Sequence, residues 1–308
     1  MGGISFVTRQ KKRWGILGLA FFCALALAGC GGGGSDEEKG DVNWTPTYCG
    51  AAFHSDQAEG NGEVKMDLSA TGEGYVGLLA ESDARLKLQV IKDGEEYLYD
   101  IRDGREEIFP LQCGNGTYTF KVMKNAGENK YYEIYSCDAD VTLESDNAPF
   151  LRPNQYADYR EDSNCVKLAG EMAAASDSEE DFVKKVYEYI AEEVSYDEDK
   201  ARTIEKGYIP DPDATMVSGK GICFDYASLA ASMLRSQGIP TKIIFGYVAP
   251  DNLYHAWNMF YTKEKGWSSV EFSVNPNEWN RLDLTFYSNG ENDEFIGDGS
   301  NYTEVYQY

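Results

Sequence analysis

Gly219-Lys220-Gly221-Ile222-Cys223-Phe224-Asp225-Tyr226 runs directly into Ala227-Ser-Leu-Ala-Ala-Ser-Met-Leu-Arg235-Ser-Gln-Gly238-Ile-Pro240, and this stretch decides how the C-terminal half folds. Two glycines lead in. An apolar run with helical spacing follows, with Tyr226, Leu229, Ala230, Met233 and Leu234 on one stripe. Gly238 is a natural C-terminal stop and Pro240 prevents continuation, so the pattern predicts a helix from about Ile222 to Ser236. Cys223 then sits at the helix N-terminus, among backbone N–H groups that favour negative charge. Such a position is expected to lower a thiol's pKa by about one unit or more and to offer donors to a developing oxyanion. Read locally, Cys223 fits equally well as a small residue packed at a helix start.

The elements on either side set the fold class. Upstream, a helix is expected from about Val166 to Ala175. A second opens with the capping-box-like Ser178-Glu-Glu-Asp181 and carries Phe182, Val186, Ile190 and Val194 on one face. Gly207 to Asp213 reads as a loop. Downstream, Lys242–Val248, Ala256–Tyr261, Trp267–Phe272 and Arg281–Phe286 read as strands, with a hairpin turn at Lys263–Gly266. Helices followed by an antiparallel sheet give an α+β domain over residues 151–308.

Residues 44–150 follow a different period. Val64, Met66 and Leu68 alternate with polar neighbours, as do Leu86, Leu88 and Val90, and Tyr118, Phe120 and Val122. Asp93-Gly94, Asp103-Gly104, Asn115-Gly116 and Asn125-Ala-Gly127 punctuate these runs. The expectation is a small all-β, sandwich-like domain. Tyr97, Tyr99, Tyr118, Tyr131, Tyr132 and Tyr135 read as strand residues filling a half-buried sheet rather than as a sugar-binding face.

A cysteine nucleophile needs an imidazole partner, and the chain has two histidines. His54 lies in the β-rich segment. His255 stands in Tyr254-His-Ala-Trp-Asn258, where a loop enters a strand packed after the Cys223 helix. Four motifs now occur in order between about residues 160 and 290: Gly-Ile-Cys-Phe-Asp-Tyr-Ala, Leu-Arg-Ser-Gln-Gly-Ile-Pro, His-Ala-Trp-Asn and Trp-Asn-Arg-Leu-Asp-Leu-Thr-Phe. Together they resemble the transglutaminase-like superfamily. The resemblance implies a papain-like core of helices packed on an antiparallel sheet, with Cys223 as nucleophile, His255 as base and Asp283 as acid. It also implies a range of reactions, since the superfamily holds transglutaminases, peptidases, amidases and inactive members. Val194-Ser-Tyr196-Asp197 resembles a segment that faces the nucleophile in relatives, which makes Tyr196 an oxyanion candidate, although a helix-end tyrosine fits the same sequence.

Two Trp-x-x-x-acid stretches compete for the third role, Trp267 to Glu271 and Trp279 to Asp283. Hairpin proximity to His255 favours Glu271. Asp283 is flanked by Leu282 and Leu284, is the shorter side chain and matches the family segment more closely, so Asp283 is preferred and Glu271 is the alternative. An amide such as Asn258 is a third choice. Two histidines far apart in sequence cannot make a His-rich metal site. Asp211, Asp213 and Asp298 lack EF-hand spacing, and no nucleotide-binding glycine signature appears. No metal and no cofactor is expected.

Composition and the N-terminus supply the setting. The chain has 308 residues, is 42% hydrophobic and carries a net charge of −24, which argues for a packed core and against nucleic acid as a partner. Arg9, Lys11, Lys12 and Arg13 precede an apolar run from Trp14 to Ala28 that is short for a membrane span. Leu27-Ala28-Gly29-Cys30 resembles a bacterial lipobox. The expectation is a signal peptide over 1–29, diacylglyceryl attachment at Cys30 and a flexible tether over 30–43, holding the protein on the outer face of a bacterial membrane. Five cysteines then remain: Cys49, Cys113, Cys137, Cys165 and Cys223. An odd set in an exported protein suggests one catalytic thiol and, where the host's surface is oxidising, at least one disulfide among the other four, with four reduced structural thiols as the alternative. The combined reading is a surface-anchored thiol acyl-transfer enzyme acting on peptide, protein or cell-wall amides, hydrolytic more than cross-linking. An inactive surface binding or adhesion module is the alternative.

Overall fold

Alternation and turn chemistry build the first half of the structure, a computed structural model that describes residues 44–128, 130–205, 207–248, 253–270 and 302–308. The strands are β1 (Glu59–Gly60), β2 (Val64–Asp67), β3 (Tyr75–Ala80), β4 (Leu86–Lys92), β5 (Glu95–Ile101), β6 (Glu106–Pro110), β7 (Gly116–Asn125) and β8 (Tyr131–Val141). Among the described residues they form two four-stranded sheets, in the orders β1-β2-β3-β6 and β5-β4-β7-β8. Leu86, Leu88 and Val90 are buried while their neighbours are partly exposed, the two-residue period of a sheet with one core face. At the β4–β5 hairpin Asp93 and Gly94 both take positive φ, 52° and 90°, the mirror-image turn that a two-residue connection favours. Val76, Leu78 and Phe109 from one sheet share a core cluster with Leu88, Tyr99 and Phe120 from the other, so the sheets face each other. Tyr97, Tyr99 and Tyr118 fill this core, and Tyr132 is half exposed.

The second half runs α1 (Asn164–Ala174), α2 (Glu179–Glu193), β9 (Ser195–Tyr196), α3 (Glu198–Thr203), α4 (Pro212–Ser218), β10 (Lys220–Gly221), α5 (Cys223–Ser236), β11 (Thr241–Val248), β12 (Leu253–Thr262), β13 (Gly266–Val270) and β14 (Tyr302–Gln307). Ser178 caps α2 by accepting from Asp181 N–H, as its sequence signature implies. The loop expected between 207 and 213 gives way to α4, which Asp211 caps and Pro212 opens. The sheet order is β13-β12-β11-β14, with every pair antiparallel. β14 at 302–307 was not anticipated. The expected strand at 281–286 lies outside the described residues.

Helix α5 is buried on both faces and carries the site. Tyr226, Leu229, Ala230, Met233 and Leu234 pack with Phe182, Val186 and Ile190 of α2. Burial of each large aliphatic side chain contributes about 1.5–3 kcal/mol. Ala227 and Ala231 join Ile243, Ala256 and the β-sandwich core on the other side, where small side chains let helix and strands approach. Arg235, fully buried, donates to the carbonyls of Thr241 (2.7 Å), Arg152 (3.0 Å) and Tyr308 (2.8 Å), tying α5 to the sheet and to the chain before α1. An aromatic seam joins the two halves. Phe224 meets Tyr156 at 5.3 Å and Phe245 at 4.8 Å, and Tyr156 reaches Tyr99 at 5.9 Å.

The disulfide expectation fails: all five described cysteines are free thiols. They lie apart along the fold, Cys49 before β1 and Cys113 between β6 and β7. Cys49 Sγ donates to Thr47 O and Cys113 Sγ to Glu95, Cys137 lies on β8, and Cys165 is buried at the start of α1. The N-terminal segment with Cys30, and both acid candidates Asp283 and Glu271, lie outside the described residues. Among the described residues no helix is long and apolar enough to cross a membrane.

Candidate active site

The two glycines before Cys223 have separate physical jobs. Gly219 ends α4 in the left-handed region at φ 61°, with its N–H on Thr215 O. Gly221 passes so close to Asp225 that a Cβ there would lie 2.6 Å from the Asp225 Cβ. Between them, β10 pairs in parallel with β9, Lys220 opposite Ser195 and Gly221 opposite Tyr196. Ser195 N–H donates to Gly219 O and Asp197 N–H to Gly221 O, both at 2.9 Å. The Tyr196 segment is therefore stitched to the chain that enters the nucleophile helix.

Cys223 is the first residue of α5 and only partly exposed. It packs against the cluster that holds Ala256, the residue after His255, and the backbone N–H groups of Ala256 and Phe224 favour its charged form. The thiol thus abuts the strand position that follows the imidazole. The expected lowering of its pKa is corrected by the structure. Burial pushes the Cys223 thiol up, the Asp225 carboxylate adds to the rise, and the backbone donors offset only part of it. The cost of burying the charge outweighs the helix-terminal donors here, so thiolate near neutral pH requires a cationic partner.

His255 is buried on β12 opposite Gly246, and Ala256 faces Phe245. Asn258, fully buried, gives its side-chain amide to Ala227 O of α5 (3.0 Å) and to Lys242 O of β11 (3.2 Å). Its donors are engaged there, so it holds helix to strand. Tyr196 is partly buried and close enough for its charge and that of Cys223 to oppose one another, which with burial raises its phenol pKa. Tyr254, half exposed, is raised by burial with a smaller contribution from Cys223. Cys223, the His255 strand and Tyr196 are brought to one place. The described pairing of β12 with β13 stops at Asn258 opposite Val270, three residues short of His255.

Under the helix start lies a network that sequence reasoning missed. Asp225, fully buried, accepts Ile222 N–H at 2.8 Å, Lys200 Nζ at 2.7 Å and the Tyr208 hydroxyl at 2.5 Å. Asp225 was visible in the Cys-Phe-Asp-Tyr motif. Lys200 and Tyr208 carried no signal, because nothing in their local pattern points to a residue so far along the chain. The second histidine, His54, is part of another cluster: its Nδ1 lies 3.0 Å from Asp67 and 3.2 Å from Ser69 Oγ. Both contacts use one ring nitrogen, an arrangement that clips the N-terminal segment onto β2.

A separate cavity of about 530 Å³ is lined by Arg102, Arg160, Asp158, Asp211 and Asp213, among others, and by neither Cys nor His. Asp213 caps α1 by accepting Asn164 and Cys165 N–H, and Asp211 accepts Ala214 N–H, so both carboxylates have structural work. Among the described residues no cluster of three or more His, Cys, Asp or Glu side chains is placed to hold a metal.

Residues 166–272 match the family model of the transglutaminase-like superfamily. No curated protein matches the chain. Among solved structures, a candidate cysteine protease from Cytophaga hutchinsonii is similar at 17% identity, covering 76% of this chain and 91% of its own, with a TM-score of 0.37. LapG of Legionella pneumophila is similar at 18% identity over 47% of this chain and 81% of its own, with a TM-score of 0.32. Red sea bream transglutaminase is similar at 12% identity over 64% of this chain and 47% of its own, with a TM-score of 0.26.

Proposed function

We propose that this chain, whose residues 166–272 form a transglutaminase-like domain, is a thiol acyl-transfer enzyme that cleaves amide bonds through Cys223 and His255. The observation that carries the reading is the packing of Cys223, a thiol at a helix start, against the cluster that holds Ala256, the residue that follows the buried His255 on β12.

The chemistry follows from those positions. The Cys223 thiolate attacks the amide carbonyl, and the carbonyl oxygen becomes an oxyanion that a Phe224 or Tyr196 donor can receive. The His255 imidazolium gives its proton to the leaving amine as the C–N bond breaks, leaving a thioester. Water then attacks with its proton passing to His255, the carboxylic acid departs, and the thiolate–imidazolium pair returns. An amine in place of water gives transamidation. Hydrolysis is the favoured outcome, because water is always available and its exclusion demands a dry channel. Asp283 is proposed to orient the imidazole, with Glu271 as the alternative. The protein is proposed to be held on the outer face of a bacterial membrane through a lipid on Cys30, with peptide, protein or cell-wall amides as substrates.

The test is to trap the thioester. Wall fragments or cell lysate are incubated with the full chain, which is quenched in acid and mapped by mass spectrometry. An acyl group on Cys223, absent from Cys223→Ala and from His255→Ala, is expected. Cys223→Ala retaining amide cleavage at the wild-type rate would overturn the assignment. An unmodified, unreactive Cys223 would favour the binding-module reading.

A further inference from the structure

We propose that Lys200 is a positioning residue for Cys223: through Asp225 it fixes the start of the nucleophile helix and balances the negative charge two residues from the thiol. The inference rests on the reading of Cys223 as nucleophile and deepens it, by assigning control of the thiol to the segment between residues 195 and 208.

The argument begins with a buried ion. Asp225 is fully buried, and a carboxylate removed from water is tolerated only when paired and fully hydrogen-bonded. Its partners come from three directions. Ile222 N–H caps the helix from the chain before it, Lys200 Nζ arrives from α3, and the Tyr208 hydroxyl arrives from the loop after α3. Lys200 also donates to Tyr208 Oη at 2.6 Å, with its ammonium 4.5 Å from the centre of that ring. Burial and the bond to Asp225 push Tyr208 well above the usual phenol range, so the hydroxyl stays protonated and donating.

Two consequences meet at Cys223. The first is mechanical. α3 follows Tyr196 directly and its N-cap Asp197 bonds Gly221 O, so the Lys200–Asp225 pair and the β9–β10 bridge close a loop around residues 195–225. Tyr196 and the helix start then move as one unit. The second is electrostatic. Asp225 opposes a negative charge on Cys223, and Lys200 is the cation that meets it. The other titratable groups whose charge acts on the thiol are Tyr196 on β9 and Tyr254 on β12, and His255 stands on β12 beside Ala256. Of the cations in this surrounding, Lys200 is supplied by a separate short helix rather than by the imidazole strand. Removal of its charge leaves the buried carboxylate uncompensated beside the forming thiolate.

The experiment is the pH profile of Cys223 alkylation by iodoacetamide, followed by mass spectrometry on the folded full chain. Lys200→Met is expected to raise the midpoint by about half a pH unit or more, the usual effect of losing a nearby opposite charge. Lys200→Arg should keep the wild-type midpoint, and Lys200→Met combined with Asp225→Asn should return it towards wild type, since the two charges leave together. A loss of packing alone would not produce that pattern. Should Lys200→Met not fold, Lys200→Gln keeps a donor without the charge and carries the same expected rise. An unmoved midpoint in the folded single variant overturns the inference and leaves the nucleophile reading intact. A wild-type Cys223 that alkylates only after denaturation overturns both.

Discussion

The side-chain amide of Asn258 donates to the carbonyl of Ala227 at 3.0 Å, one helical turn beyond Cys223. At the turn before, Cys223 packs against the cluster that holds Ala256. Four helical residues rise about 6 Å and two strand residues about 6.6 Å, so these contacts match α5 and β12 at two successive points. The spacing fixes the thiol against the histidine strand. Asn258→Ala removes the buried amide that ties Ala227 O of α5 to Lys242 O of β11 and is expected to cost about 1–3 kcal/mol in urea unfolding. Turnover should fall more than substrate affinity, because register is disturbed and not the substrate pocket. A variant with wild-type turnover would show that the sheet alone sets the register.

Gly221→Ala places a methyl group 2.6 Å from the Asp225 Cβ, against a carboxylate that its own hydrogen bonds hold in place. The expected loss is about 1–3 kcal/mol of stability, typical of overpacking. Cys223 alkylation should slow in the same variant, since the capping carboxylate must move. Chemical denaturation and alkylation kinetics check the two effects separately. Gly62, whose Cβ would meet nothing within 4 Å, supplies the control: Gly62→Ala should change neither measurement.

The nucleophile helix was legible in the sequence because its signals are local. Gly219, Gly238 and Pro240 mark its limits, and the apolar stripe fills it, so Cys223–Ser236 falls within a residue of the expected span. The β-sandwich was legible for a similar reason, as alternation and Asp-Gly turns act over a few residues. What escaped depends on long-range contact. Asp225 reaches Lys200 and Tyr208 from another helix and loop, and no periodicity encodes that meeting. β14 escaped because Val305 and Tyr306 remain largely exposed and its alternation is weak. α3 and α4 escaped because they are short and lack an apolar stripe, with Asp197 and Asp211 capping them in the structure. Cysteine parity misled because residue counts carry no geometry.

Alkaline pH is expected to destabilise the fold. Burial, followed by the opposing charge of Cys113, pushes Tyr97 up to about 12. Burial and then Glu95 do the same to the Cys113 thiol. Burial also holds Tyr99, Tyr118, Tyr156 and Tyr159 above the usual phenol range. A raised folded value means the folded state keeps protons that the unfolded chain has released. The contribution is therefore complete below the ordinary tyrosine value of about 10 and is lost as pH rises towards 12. Urea midpoints should fall across that window, with tyrosinate absorbance appearing together with unfolding. Gradual tyrosine ionisation at constant stability would contradict the burial of these rings.

Cys30→Ala is expected to release the protein from membranes or to leave its precursor uncleaved, because the lipid is proposed to sit on that sulfur. Fractionation of cells with metabolic labelling by a fatty-acid analogue checks it. Unchanged partitioning with an intact leader would point to a plain membrane helix.

The central claim is that Cys223 is a reactive nucleophile in the folded protein, and competitive alkylation tests it most directly. The folded chain is treated with limiting iodoacetamide, and the rates at Cys49, Cys113, Cys137, Cys165 and Cys223 are read together by mass spectrometry. Burial raises the other four thiols, and Cys165 has Asp213 beside it as a further opposing charge. Burial raises Cys223 too, but it has backbone donors from two elements and the histidine strand against it. Cys223 is expected to react first and to remain reactive to the lowest pH. His255→Ala should slow Cys223 near neutral pH by about tenfold or more, the loss of an imidazolium that stabilises the thiolate. A Cys223 that labels only once the chain is denatured, with the other thiols reacting before it, would contradict the account.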